Sequence, residues 1–361
     1  MKRIKIIGAG SIGNHLANAA KTMNWDVTVT DISRDALNRT KNQIYPSRYG
    51  KWDESIKLFE NKDVPNGCYD IIFIGTPPDT HINLALSSLE EKPKLICIEK
   101  PLCEPGIMNM NKLYSQLKRR KIFGMIGYDH VVGDAAIYAS ELLRDVNVKD
   151  VSYLEVEIKE HWEGIFNAHP WLNGPKDSYL GFWKRGGGAC SEHSHGINLW
   201  QYFADILGAG KVNEVSAMID YKRNKDVYYD KSCFLNVRTE KGLSGRIIQD
   251  VVTYPPSKTL KLQTNEFLLE WHCNYKPNTD AVFKIKNGEI KRKFFKKTRA
   301  DDFINEMKHI KKFLNEKKNS PLSIDKGLDT MMVIAAAHKS AQRKRTIFID
   351  TVNQYKKSSL K

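Results

Sequence analysis

The sequence predicts an α/β protein in two parts: a doubly wound parallel sheet first, then a large, open, mostly antiparallel sheet. Three observations carry this. Residues 3–31 run as apolar strand, glycine turn, amphipathic helix and second strand. Further apolar strands then alternate with helical stretches up to residue 130, which is the pattern of parallel strands joined by crossover helices. After residue 210 the periodicity changes to two, with polar turns between short segments.

Taken in order, "RIKIIG" (3–8) is the first strand, and "GAGSIG" opens a helix through "NHLANAAKTM". Gly8 permits the tight turn, Gly10 lets backbone approach a pyrophosphate, and Gly13 lets helix and strand pack closely. The helix start offers free N–H groups and the positive end of its dipole to phosphates. The next strand, "DVTVTD", ends in Asp31, whose carboxylate suits ribose hydroxyls and repels a 2′-phosphate. That favours NAD, while Arg34 nearby leaves NADP as the alternative. "YDIIFIGTPPDTHINLA" (69–85), "KLICIEKPL" (94–102) and "KIFGMIGYDH" (121–130) continue the strand pattern. Ligands of such sheets lie beyond the carboxyl ends of the strands, where Thr76, Pro77, Pro78, Lys100 and Tyr128 fall. This is a Rossmann dinucleotide-binding arrangement.

The second part offers "VNEVSAMIDY", "KSCFLNVRTE", "LSGRIIQDVVTY", "KTLKLQTN", "EFLLEWHC" and "AVFKIKNGEIKRKFF" as antiparallel strands, with Asn287-Gly288 as a two-residue hairpin turn. We divide the chain into a nucleotide-binding domain at 1–127, a substrate and oligomerisation domain at 128–350, and a frayed tail at 351–361.

At 361 residues, 41% of them hydrophobic, the chain is long enough for two cores. No apolar run approaches the roughly 20 residues of a membrane span. The N-terminus reads as a strand and not as a secretion signal. The six cysteines are scattered without a CxxC pair, which fits reduced thiols in a cytoplasmic protein. The net charge of +15 is spread along the chain, with no zinc finger, basic zipper or RNA-binding aromatic signature. A solvated basic surface that draws in anionic small molecules explains it better than nucleic-acid binding.

The ordered set "GAGSIG … TPPDTH … EKP … GYDH … GGG…EHSH" resembles the glucose-fructose oxidoreductase/inositol dehydrogenase/MocA family over nearly the whole chain. The likeness extends to the closing helix and strand at 320–349. The resemblance implies a Rossmann domain paired with an α/β domain on an open sheet, oxidation or reduction of a hydroxyl on a sugar or sugar derivative, and a homodimer or homotetramer through that sheet. It implies a dinucleotide lying on Gly8, Gly10, Ser11, Ile12 and Gly13, with Asp31, Ile32 and Arg34 at its ribose. Gly75, Thr76, Pro77, Pro78 and His81 follow from the second turn, and Glu99, Lys100 and Asp129 from the later strand ends. His195 matches the family's histidine beside the nicotinamide, and Lys100 the lysine of EKP, so both handle the proton of the reacting hydroxyl. Glu192 matches an acidic position and could orient substrate or His195. Asn198 stands where aspartate is common, and Asp129-His130 where asparagine and a variable residue are commoner.

The residues support this chemistry independently. Hydride leaves a carbinol carbon only as the hydroxyl loses its proton, so a base must touch it. An imidazole suits neutral pH, and a lysine beside it stabilises developing alkoxide charge. On one regular helix Glu192, His195 and Asn198 share a face, and the glycines at 186–188 let the chain pass close to a ligand. A metal reading of "GGGACSEHSHGINLW" is weak. His193 and His195 point about 200° apart on a helix, and Cys190 with His193 gives only two ligands. No metal is therefore assigned. In "HWEGIFNAHPWLNGPKDSYLGFWKR" (161–185), Trp162, Trp171, Tyr179 and Trp183 could pack on sugar C–H faces, and Lys184 or Arg185 could meet an anionic substituent. The alternative is that these rings anchor a loop. With Tyr128, Lys100, Glu192, His195 and Asn198 they make up the candidate substrate contacts.

The function these readings favour is an NAD(P)-dependent sugar dehydrogenase or reductase, whose substrate the net charge and Asp129 suggest is anionic or nucleotide-linked. An NAD-using glycoside hydrolase needs the same early hydride step, and a non-catalytic dinucleotide- or sugar-binding regulator would keep the fold without turnover.

Overall fold

A computed structural model describes residues 1–361. Six parallel strands form the first sheet: β1 (Arg3–Ile7), β2 (Asp26–Asp31), β3 (Lys57–Glu60), β4 (Ile71–Ile74), β5 (Leu95–Ile98) and β6 (Phe123–Ile126). Their order is β3-β2-β1-β4-β5-β6. β4 and β5 are buried at every position, which is why each reads as an unbroken apolar run. The order turns around between β1 and β4, so the loops leaving these strands diverge and open a crevice at their carboxyl ends. β3, "KLFE", is short, lies at the edge and has no fully buried residue.

The helix Ser11–Thr22 follows β1 directly. A Cβ on Gly13 would lie 2.0 Å from the Gly8 carbonyl oxygen, and one on Gly8 (φ +110°) 2.7 Å from that of Gly75. Both positions exclude a side chain, so β1, the helix and the turn after β4 close on one another.

The second sheet has nine strands: β7 (Val151–Lys159), β8 (Val212–Arg223), β9 (Tyr228–Thr239), β10 (Ser244–Asp250), β11 (Ser257–Thr264), β12 (Leu268–Lys276), β13 (Thr279–Lys286), β14 (Glu289–Lys296) and β15 (Ile347–Phe348). The order is β14-β13-β12-β11-β7-β10-β9-β8-β15, and only the β7–β10 pair is parallel. Along β9, Cys233 to Thr239 alternate buried and exposed, which is the physical content of the period-two pattern. Asn287 and Gly288 both have positive φ and join β13 to β14 as a two-residue turn. β7, "VSYLEVEIK", also alternates but is absent from the sequence-based strand set.

Two long helices tie the sheets together. Arg299–Glu316 starts with a Thr298/Asp301 capping box and returns to the first sheet's domain, where Phe303 stacks on His15 (4.6 Å, 5°). Ile324–Arg343 lies between the sheets. A Cβ on its Gly327 would press on Ile126 at 3.1 Å, while Ser340 Oγ accepts from Ala217 N–H in β8 (3.0 Å). The tail departs from the frayed state expected. Leu360 and Tyr355 are buried, and Lys361 N–H donates to the Phe348 carbonyl (2.8 Å), so two apolar anchors hold the segment down. No helix is long and apolar enough to cross a membrane.

Candidate active site

The glycine turn closes on protein at Gly8 and Gly13 and opens at Gly10. A Cβ on Gly10 would meet nothing within 4 Å, in contrast to Gly8 and Gly13. The helix starts at Ser11 with no side-chain cap, leaving its first N–H groups directed into that space. The Asp31 carboxylate, at the end of β2, accepts from Ala9 N–H (2.8 Å) and Ser33 N–H (2.9 Å), which fixes it at the rim of the turn. Ile32 and Arg34 are exposed beside it. Arg48, unmarked by any motif, donates to Ser11 O (2.9 Å) and Oγ (2.7 Å) and adds a cation at this helix start. A bound dinucleotide would thus lie over Gly10 and Ser11 with its ribose at Asp31.

The turn after β4 runs Gly75, Thr76, Pro77 and Pro78. His81 does not face the crevice. It is fully buried, and its ring spans the carbonyl oxygens of Thr76 (2.7 Å) and Pro101 (3.0 Å), tying this turn to the one after β5. Its expected cofactor contact gives way to that brace. Glu99 lies buried beneath Gly127, where burial and then Asp129 push its carboxyl up to about 7.

Lys100 leaves the end of β5 and crosses to the second domain. Its ammonium donates to the Glu192 carboxylate (3.0 Å) and to the Glu192 carbonyl (2.9 Å). Tyr179 O–H donates to the other carboxylate oxygen (3.1 Å). Burial opposes ionisation of Glu192, but Lys100, His193 and these hydrogen bonds outweigh it and hold the carboxyl below its ordinary range.

Glu192, His195 and Asn198 do not share one regular helix. The segment breaks at His193-Ser194 into Gly188–Glu192 and His195–Ile206. The glycines before it lie tightly against protein. Gly186 lies against Pro78, and a Cβ on Gly188 (φ +78°) would strike Asp230, which accepts from Cys190 N–H (2.6 Å). Gln249 donates to the His193 carbonyl at the break. The break turns His195 back toward β6. There its ring stacks on His130 (4.3 Å, 17°), meets the Tyr128 ring edge-on (5.5 Å), and places Nδ1 3.6 Å from Asp129 Oδ1. Burial, then the neighbouring His130, pulls His195 well below the usual imidazole value, with Asp129 opposing and Lys100 assisting. His195 is therefore neutral at pH 7, as a base must be.

Other expected contacts are relocated. Tyr128 is wholly buried, and Asn198 turns into the closing helix, its Nδ2 donating to Thr330 (3.3 Å). Trp162 packs among Phe166 and Tyr229, and Trp183 stacks on His338 (4.4 Å), so both rings anchor the loop instead of facing a substrate. Lys184 is exposed, while Arg185 pairs with Asp79 (2.7 Å) and pins the loop to the first domain. Tyr179 remains at the centre. Asp129 is buried, its carboxylate engaged by His130 (2.8 Å) and Arg299 (3.1 Å), so it does not stand at the mouth of the cofactor crevice. Arg299, more than 160 residues away, carried no local signal.

Residues 2–128 match the family model described as "Oxidoreductase family, NAD-binding Rossmann fold". No curated protein matches the chain. Among solved structures, an NAD binding oxidoreductase from Klebsiella pneumoniae superposes with TM-score 0.77 at 15% identity, covering 96% of this chain and 98% of that one. Aldose-aldose oxidoreductase from Caulobacter crescentus, complexed with glycerol, gives TM-score 0.77 at 16% identity, over 96% and 99%. An oxidoreductase from Agrobacterium radiobacter, in complex with NAD+, L-tartaric acid and magnesium, gives 0.75 at 13%, over 96% and 98%. At these identities the likeness is one of fold.

Proposed function

We propose that this chain oxidises or reduces a secondary hydroxyl of a sugar or polyol, with residues 2–128, which match the NAD-binding Rossmann oxidoreductase model, holding the cofactor. The observation that carries the reading is the Lys100–Glu192 pair. Two groups 92 positions apart meet within 3.0 Å beside His195, at the carboxyl end of β5. NAD, when bound, supplies the hydride acceptor.

The chain's own groups divide the remaining work. His195, neutral, takes the hydroxyl proton. Lys100 has three N–H donors, and Glu192 uses two of them, leaving one for the substrate oxygen as negative charge develops there. Glu192 and Tyr179 hold that ammonium in place. The charges of the site cancel within it, Lys100 against Glu192 and Arg299 against Asp129. This supports a neutral polyhydroxy substrate over the anionic one that net charge suggests. Asp31 supports NAD over NADP.

Screening purified protein with a panel of hexoses, inositols and anhydrosugars for NADH absorbance tests the reading. Turnover that falls by about 10²-fold or more in His195→Ala, with NAD affinity kept, supports it. No turnover with any substrate refutes it. We also assign the exposed cross-strand pair Met218–Phe234 on β8 and β9 to a contact between copies of the chain. Sedimentation showing the same mass for wild type and Phe234→Lys would remove that assignment.

A further inference from the structure

We infer that Asp129 is the positioning residue for His195: its buried carboxylate, clamped by Arg299, holds the His195 ring with Nδ1–H toward Asp129 and Nε2 toward the substrate hydroxyl. The inference rests on the proton-handling role proposed for His195 and adds the device that orients it.

The geometry is a three-sided clamp on one carboxylate. Arg299 Nη1 donates to Oδ2 (3.1 Å) and is itself held by Asp302 (2.9 Å). On the other oxygen, His130 Nδ1 lies at 2.8 Å and His195 Nδ1 at 3.6 Å, the two rings stacked 4.3 Å apart. His195 Nδ1 is buried and has no other hydrogen-bond partner. A neutral imidazole carries its proton on one nitrogen only. With the proton on Nδ1, a donor faces an acceptor oxygen. With it on Nε2, a lone pair faces a carboxylate in a dry site, which is repulsive. A carboxylate oxygen has two lone pairs, so Oδ1 can serve both histidines. The 3.6 Å separation is that of a contact that tightens once substrate fills the other side of the ring.

The proton accounting is simple. The substrate O–H bond breaks and an Nε2–H bond forms as hydride leaves the carbon. Asp129 stays ionised and stabilises the resulting imidazolium, and no proton crosses to it. The three ligand atoms of Asp129, His130 and His195 lie within 4.8 Å of one another, which also fits a divalent cation. The guanidinium already on Oδ2 and the nearby Lys100 charge oppose a further cation there.

The first test, of the tautomer, needs neither cofactor nor substrate. In ¹⁵N-histidine-labelled protein, the His195 signals are assigned by their loss in His195→Gln, and the protonated nitrogen is read directly by NMR. Wild type is expected to carry the proton on Nδ1. Asp129→Asn should transfer much of it to Nε2. His130→Phe, which keeps the stack and frees Oδ1, should leave it on Nδ1. On a substrate found by the panel above, Asp129→Asn should lower kcat by about 10²–10⁴-fold with KM nearly unchanged, and Asp129→Glu should recover part of it. An Nε2–H tautomer in wild type, or an unchanged tautomer in Asp129→Asn, overturns the inference. So does activity that chelator abolishes and Zn²⁺ restores. Failure of wild type to oxidise any sugar would instead defeat the proposed function, while the tautomer result would stand by itself.

Discussion

Replacing Gly10 and Gly13 separately by alanine divides the glycine turn into its two physical jobs. At Gly13 the new Cβ would lie 2.0 Å from the Gly8 carbonyl oxygen. Taking about 3.3 Å as a tolerable C···O approach, helix and strand must part by about 1.3 Å. Overpacking of that kind costs about 1–3 kcal/mol, or several degrees in Tm. At Gly10 no heavy atom lies within 4 Å and φ is −83°, which alanine adopts freely. There the folded state should be unharmed or steadier by about 0.4–1 kcal/mol. The room that Cβ takes, however, is the room proposed for the pyrophosphate, so NAD should bind at least about tenfold more weakly, ~1.4 kcal/mol. Calorimetric Tm and titration of NAD into each variant read both effects. A Gly10→Ala protein that binds NAD as tightly as wild type would refute the placement of the dinucleotide over this residue.

Three further outcomes follow from the geometry. Lys100→Met should abolish turnover and also lower stability by about 3 kcal/mol, because it leaves the Glu192 carboxylate buried without its cation. Adding Glu192→Gln should restore the unfolding midpoint but not the activity, and no recovery would show that the pair is not the source of the loss. For pH, burial lowers His338 to about 3 in the folded chain, against about 6.5 unfolded. The unfolded state therefore binds the proton first, and stability declines as pH falls below about 6.5, by about 1.4 kcal/mol per pH unit from this residue. Urea unfolding between neutral pH and the folded value should show a shallower decline in His338→Gln, and an identical slope would contradict the assignment. Deleting residues 351–361 removes buried Tyr355 and Leu360, worth about 1.5–3 kcal/mol each, so Tm should drop clearly where loss of a frayed tail would leave it unchanged.

Legibility in the sequence tracked the range of the interaction. The turn at Gly8–Gly13 could be read because strand, glycines, helix and Asp31 follow one another within a single unit. The antiparallel strands showed because burial alternates with a period of two, and the Asn287-Gly288 hairpin because its backbone needs positive φ twice. What escaped was set at long range. The break at His193-Ser194 is held by Gln249 from β10, and Asp129 is clamped by a guanidinium from Arg299. Aromatic residues misled for the same reason. Trp162 and Trp183 look identical in composition to sugar platforms, and only their partners Tyr229 and His338 show that they face inward. The tail carried too few apolar residues to reveal that two of them seat.

The helix Arg299–Glu316 covers the first helix through Phe303 and buries Met307 and Ile310. The first sheet's domain is therefore completed by a helix from far along the polypeptide. During synthesis, its early strands go without this cover until residues 299–316 have been made. A fragment ending near residue 127 would lack this helix and expose the side of the first helix that Phe303 covers.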